Sequence, residues 1–243
     1  MNSLNSDMEQ RFEYRVLQEG SIILKPDGQR IVSLEHRCTS VLLWTRGSLP
    51  SSENTVLTDP CFTDKGFLYA MEVLEELELP FEKIGRIFVT HRHSDHCLSL
   101  PQRVPVQAFP YLGTDELSGL LSIPCPGHSP SLKSLVFRSC SGEKIWIVGD
   151  AILDEEWLMA WEFFWPNGYT RGSVIKTWNS VARIISNADV IVPGHGRPFE
   201  VTLPLVEKLL SDFPSAKYAG ACGKAADMME DRLNRLKKRE LTS

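Results

Sequence analysis

The chain has 243 residues, 42% of them hydrophobic and 23% charged, which is typical of a globular protein with one large or two small domains. Its formal net charge of -5 argues against general nucleic-acid binding, which needs a basic surface. No apolar run approaches the roughly 20 residues that span a bilayer, and residues 1–11 lack the apolar core of a signal peptide. We therefore expect a cytoplasmic protein with no membrane partner and with reduced cysteines.

The first part of the chain is predicted to consist of short strands, which β-branched and alternating runs favour. These strands cover 12–17, 21–24, 30–35, 40–44 and 55–58. Apolar residues then recur at helical spacing over 66–78, and Pro80 ends this helix. The order predicts an antiparallel meander followed by a helix.

The second part of the chain alternates strands with longer helical stretches. An apolar strand at 86–90 leads directly into His91, and a helix is expected from Ser94. The other predicted strands are 104–109, 121–123, 134–137, 144–148 and 188–192, and the other helices are 152–164, 172–186 and the residues after 202. Two β-sheets packed face to face with helices outside satisfy this order. We expect one domain over 1–200 and a helical extension, 201–243, packed on it.

The segment 90–96 reads Thr-His-Arg-His-Ser-Asp-His and is the strongest chemical signal in the chain. If the strand continues through His91 and His93, both imidazoles point to the same face and can chelate one ion. Asp95 and His96 follow at the predicted turn into a helix and can hold a second ion. Imidazole and carboxylate groups are the usual protein ligands of zinc and similar divalent metals.

Three later loops offer the additional ligands that two ions require. His128 lies in Pro-Gly-His-Ser, Asp150 in Gly-Asp and His195 in Pro-Gly-His-Gly, each after a predicted strand or an apolar stretch. The adjacent glycines let the backbone turn sharply and approach an ion closely. Each short motif alone is a weak signal. The ordered set is specific, because it contains five of the six histidines.

These motifs resemble the metallo-β-lactamase superfamily over roughly 39–198, and in particular its small glyoxalase II-like members. The resemblance implies an α/β (α+β) protein with the metallo-β-lactamase fold, an αβ/βα four-layer sandwich. It implies a first metal on His91, His93 and His128, a second metal on Asp95, His96 and His195, and Asp150 as the bridge. Asp59 matches the superfamily's early buried aspartate, which would orient the metal loop.

The implied function is a dinuclear metal-dependent hydrolase, in which a hydroxide bridging two divalent ions attacks an ester or thioester bond. Zinc is the expected metal, with iron or manganese as alternatives, and Asp95 is also predicted to relay a proton as a catalytic residue. We expect a small-molecule substrate. Three alternatives stay open: a phosphodiesterase or ribonuclease on the same fold, a mononuclear iron thiol or persulfide dioxygenase, and a non-catalytic binding module.

Several features outside the motifs have interpretations of their own. The aromatic stretch 157–169 is interpreted as helix packing, including a homodimer contact, or as a wall of the substrate pocket beside Arg171 and Lys176. His36 is interpreted as an ordinary strand residue. The basic run 232–239 is interpreted as a solvated helix face.

Overall fold

The computed structural model describes residues 10–97, 117–163 and 168–241. Its strands are β1 (Arg11–Gln18), β2 (Ser40–Thr45), β3 (Thr55–Thr58), β4 (Arg86–Phe88), β5 (Leu121–Pro124), β6 (Lys133–Ser139), β7 (Lys144–Gly149), β8 (Val190–Pro193) and β9 (Phe199–Glu200). Its α-helices are α1 (Asp64–Glu76), α2 (Glu155–Met159), α3 (Arg171–Asn187), α4 (Leu203–Asp212) and α5 (Gly223–Glu240). In these ranges, no helix has both the length and the apolar character that crossing a membrane requires.

The strands of the described residues form one mixed sheet in the order β4-β3-β2-β1-β6-β7-β8-β9, and β5 pairs with β6. Strands β1, β2 and β3 form the predicted antiparallel meander, and β4 lies parallel to β3. The two halves of the sheet join through a short parallel contact, in which Arg11 pairs with Arg138 and Phe12 with Ser139. The halves on either side of this junction pack against each other.

Alternation along the strands builds three apolar layers, because successive side chains point to opposite faces. Leu43 of β2 and Ile147 of β7 belong to the inner cluster between the two halves of the sheet. Their neighbours point outward: Leu42 packs in a cluster with α1, and Trp146 packs in a cluster with α3. The resulting helix–sheet–sheet–helix arrangement confirms the predicted four-layer class.

Threonine side chains fix the start of three helices. Thr63, Thr170 and Thr202 precede α1, α3 and α4, and each accepts the backbone N–H three residues further on, at 3.1, 3.1 and 3.4 Å. Such caps satisfy one of the backbone donors that a helix start leaves without a partner. The helix predicted over 172–186 corresponds to α3, which is longer by one residue at each end.

The predicted strands at 21–24 and 30–35 are wrong. This segment forms two isolated bridges, Ser21 with Arg37 and Leu24 with Arg30, around a turn at 26–28. Val32 is 89% exposed and Leu34 is 42% exposed, so 30–35 has no buried face, whereas Ile22 of the first predicted strand packs against Leu153 and Trp157. The segment is a loop that passes close to the end of β8, where Thr39 N–H donates to the Gly194 carbonyl at 2.7 Å.

Other predicted boundaries also change. The strand expected to continue through His91 ends at Phe88, and residues 94–96 form a turn in the described part of the chain. Of the helix predicted over 152–164, the described residues up to 163 contain only α2. The predicted strand 104–109 and most of the helix expected from Ser94 lie outside the described residues.

The C-terminal helices share an apolar cluster with α3, and two arginines of α5 hold the end of α3. Arg232 is 4% exposed and donates to the Ala188 carbonyl at 2.7 Å and to Asp189 Oδ1 at 3.1 Å. Arg235 donates to the Ser186 carbonyl at 2.6 Å. The interpretation of 232–239 as a solvated face is therefore wrong at Arg232, which is buried because the last carbonyls of α3 need donors, whereas Arg235 is exposed as interpreted. The division at residue 200 stays a prediction.

Candidate metal centre

Four loops bring the predicted ligands to one end of the sandwich. The loop after β4 carries the histidine–aspartate segment 91–96, and the loop after β5 carries His128. Asp150 follows β7 directly, and His195 follows β8 by two residues. All seven side chains predicted to be ligands meet there, although the strand before His91 is shorter than expected.

Three histidines and one oxygen of Asp150 form the first group. His93 Nδ1 lies 3.0 Å from His91 Nε2 and 2.9 Å from His128 Nε2. Asp150 Oδ2 lies 3.2 Å from His128 Nε2 and 3.7 Å from His91 Nε2. All four donor atoms fall within 4.8 Å of one another, which is a suitable separation for ligands of one ion.

The second group surrounds the other oxygen of Asp150. Oδ1 lies 3.0 Å from His96 Nε2 and 3.3 Å from His195 Nε2, and the two nitrogens are 3.4 Å apart. Asp95 Oδ2 lies 3.6 Å from His195 Nε2 on the more open side of this group. The two carboxylate oxygens of Asp150 thus face two different sets of imidazoles.

The donor set fits a divalent cation. Asp150 is 4% exposed, and its Oδ1 accepts no well-directed hydrogen bond from the described residues, although two imidazole nitrogens are close. A buried carboxylate is costly unless positive charge compensates it. Imidazole nitrogens and carboxylate oxygens that converge at 2.9 to 3.7 Å can provide that compensation by sharing a cation. The histidine–aspartate cluster can therefore bind metal ions.

The histidines on the two sides of Asp150 differ in their proton affinity. Burial lowers the pKa of His91 to about 3 and that of His128 to about 4, which outweighs the opposite effect of the Asp150 charge. Burial also acts to lower the pKa of His96 and His195, but Asp150 reverses this effect, and Asp59 adds to it at His96. The pKa values of His96 and His195 are raised as a result. In return these histidines hold the pKa of Asp150 well below its usual range, despite its burial.

Asp59 makes hydrogen bonds to the loop 90–96 on the side away from Asp150, which agrees with the orienting role that the resemblance implies. Its Oδ1 accepts the Thr90 N–H at 2.7 Å, and its Oδ2 accepts the Thr90 hydroxyl at 2.8 Å and lies 2.9 Å from His96 Nδ1. A carboxylate on Nδ1 leaves Nε2 of the same ring facing the site, which is how such partners orient ligating histidines. His195 is oriented similarly, because its Nδ1 lies 2.9 Å from the Arg37 carbonyl oxygen.

Two positions next to Asp150 and His195 must be glycine, because other atoms lie where a side chain would start. Gly149 has φ +50, and a Cβ there would lie 2.4 Å from Thr90 Oγ1. A Cβ on Gly194 would lie 2.2 Å from Asp150 Oδ1. Any larger side chain at either position would displace the groups that surround Asp150.

His36 lies at the site, so its interpretation as an ordinary strand residue is wrong. Its Nε2 is 2.9 Å from Asp95 Oδ2, and its ring stacks on that of His195 with centroids 4.5 Å apart and planes 28° apart. No motif surrounds His36 in the sequence. The one available signal was that it is the only histidine outside the motifs.

In the aromatic stretch the packing interpretation is confirmed at two tryptophans, whereas the pocket wall and the homodimer contact stay predictions. Trp157 and Trp161 are buried at 5% and 3% exposure and pack in the core, whereas the Phe163 ring lies 5.5 Å from that of His128. Residues 164–167 lie outside the described residues. The Arg171 guanidinium lies over the Tyr218 ring at 5.7 Å, and no described contact joins it to the metal ligands.

Comparison with solved structures identifies the fold. The chain resembles a hydrolase of the β-lactamase superfamily, AbOPH, at 14% identity and a TM-score of 0.52, over 79% of this chain and 90% of that one. It resembles a quorum-quenching N-acyl homoserine lactone lactonase at 11% identity and a TM-score of 0.50, over 78% and 92%. A metallo-β-lactamase family protein from Thermus thermophilus matches at 15% identity and a TM-score of 0.48, over 93% and 94%.

No family model matches the sequence, and a search of curated proteins gives no significant match. The chain has the metallo-β-lactamase fold. At the end of its sandwich it carries a histidine–aspartate cluster that can hold metal ions.

Proposed function

We propose that the protein is a dinuclear metal-dependent hydrolase that cleaves an ester or thioester bond. One observation carries this proposal: Asp150 turns Oδ2 toward His91 and His128 and Oδ1 toward His96 and His195. A carboxylate placed between two sets of neutral or neutralisable imidazoles is suited to bridge two cations. His93 completes the first set and Asp95 the second.

Two bound divalent ions would lower the pKa of a water molecule toward 7 and polarise the bond under attack. The residues of the chain contribute position and proton transfer. Asp95 is 28% exposed at its side chain, whereas His91, His96 and His195 are almost completely buried. Asp95 is therefore more open to solvent than these three histidines, and there a carboxylate can accept a proton from the nucleophile or pass one to the leaving group.

The donor set also bears on the alternatives. Two groups of donors that share Asp150 support two ions rather than the single iron of a thiol or persulfide dioxygenase. The net charge of -5 gives little support to a phosphodiesterase that binds RNA. Zinc is the metal we propose, because imidazole with carboxylate is among its usual ligand sets.

The test begins with metal-free protein prepared by chelation and reloaded with zinc, iron or manganese. Turnover is measured on a thioester, a lactone, a linear ester, a phosphodiester and a β-lactam. We expect ester or thioester cleavage that rises until two equivalents of metal are bound. The same measurements are made on Asp150→Asn, which removes the charge between the two groups of histidines. Asp227→Asn, which removes an exposed carboxylate on α5, is its control. Turnover that survives chelation, or that is confined to the phosphodiester, would overturn the proposal.

A further inference from the structure

His36 and Asp95 form a contact at the open rim of the metal centre. Their side chains are 35% and 28% exposed, and Nε2 of His36 lies 2.9 Å from Oδ2 of Asp95. A carboxylate only accepts, so the histidine nitrogen donates this hydrogen bond. The two residues are 59 positions apart in the sequence, and the loop around His36 brings them together.

The backbone around His36 is fixed to the loop that carries His195. The Arg37 carbonyl accepts the Ser21 N–H at 2.9 Å and lies 2.9 Å from His195 Nδ1. Thr39 N–H donates to the Gly194 carbonyl at 2.7 Å, and the Thr39 hydroxyl donates to the Gly196 carbonyl at 2.9 Å. The His36 ring then stacks on His195 at 4.5 Å. His36 is thus held in place although its side chain is partly exposed.

Asp95 otherwise lacks the support that the neighbouring ligands receive. Asp59 holds His96, and the Arg37 carbonyl holds His195. Among the described residues, His36 is the one hydrogen-bond partner of the Asp95 carboxylate. An exposed aspartate without such a partner samples several rotamers, and fixing one of them on binding a cation costs conformational entropy.

We propose that His36 is a positioning residue for the second metal: its hydrogen bond holds the Asp95 carboxylate toward His195. The inference rests on the proposed two-ion site and assigns a role to a residue outside the seven ligands. Removing a hydrogen-bond partner of a metal ligand costs about 10- to 100-fold in affinity. We expect that loss for the second ion, with little change for the first.

The experiment titrates zinc alone into metal-free protein by calorimetry at one pH and counts the bound ions by elemental analysis. It compares wild type, His36→Ala, His36→Gln and the control Leu34→Ala, which shortens an exposed side chain of the same loop. Glutamine places an N–H donor at about the reach of Nε2 but is a poor zinc ligand. We expect weakened binding of the second ion in His36→Ala, and recovery of most of the affinity in His36→Gln.

Unchanged affinity for the second ion in His36→Ala would overturn the inference. Equal losses in His36→Ala and His36→Gln would also overturn it, because the ring itself would then be needed rather than its hydrogen bond. A wild-type protein that binds fewer than two ions would instead overturn the proposed function, before any variant is compared. Circular dichroism of each variant checks that the fold is retained.

Discussion

The two sides of Asp150 hold similar side chains that differ in the direction of their pKa shifts. On one side, burial lowers the pKa of His91 and His128 to about 3 and about 4, so both are neutral near pH 7. On the other side, the charge of Asp150 raises the pKa of His96 and His195 despite their burial. Protons therefore compete with a cation more strongly at His96 and His195 than at His91 and His128. The balance between burial and the charges of Asp150 and Asp59 thus makes the two groups of histidines unequal in proton affinity.

The largest effect is expected where the two sides meet. Asp150→Asn keeps the shape of the side chain but removes the charge that both groups share. We expect fewer than two bound ions and a loss of turnover greater than about 100-fold, the upper range for residues that only support a ligand. Elemental analysis and steady-state kinetics measure both quantities. Retention of two ions would show that Asp150 is not the bridge.

Proton release on metal binding should distinguish the two sides directly. Because the pKa values of His96 and His195 are raised, protons compete with the second ion over the range in which His91 and His128 are already neutral. As pH falls, affinity for the second ion should therefore fall first, by about tenfold per pH unit for each proton displaced. Calorimetry in buffers of different ionisation enthalpy counts the protons. Release of the same number of protons on binding the first and the second ion would contradict the expected difference between the two sides of Asp150.

Much of the site could be predicted from the sequence because its ligands lie in short motifs at strand ends. His91 to His96 form one segment, and glycines mark the turns at Asp150 and His195. The short apolar runs at 40–44 and 144–148 likewise predicted β2 and β7 to within one residue, because buried strands are rich in apolar residues.

What could not be predicted depends on contacts between distant residues. His36 meets Asp95 only because 21–35 folds as a loop instead of pairing as strands, and its β-branched residues gave the opposite indication. Arg232 had the same appearance as its solvated neighbours, and its burial follows from where α5 crosses the end of α3. Neither contact leaves a local pattern in one sequence.

The smallest effect on the metal centre is expected from a change in the scaffold. Arg232→Met removes the donor to the Ala188 carbonyl and to Asp189. We expect the free energy of unfolding to fall by about 2 kcal/mol, the scale of a charged hydrogen bond, while both metal affinities stay unchanged. Urea unfolding measures the change, and Asn234→Ala, at an exposed position of the same helix, should alter it by less than about 0.5 kcal/mol. Loss of either ion in Arg232→Met would show that the difference between the two sides depends on the scaffold as well as on Asp150.

Anomalous diffraction from crystals of the zinc-loaded protein tests the bridging role of Asp150 most directly. We expect two peaks, one on each side of the Asp150 carboxylate. The first should lie among His91, His93 and His128, and the second among Asp95, His96 and His195. A single peak, or a pair of peaks that leaves Asp150 out of contact with either ion, would contradict the account.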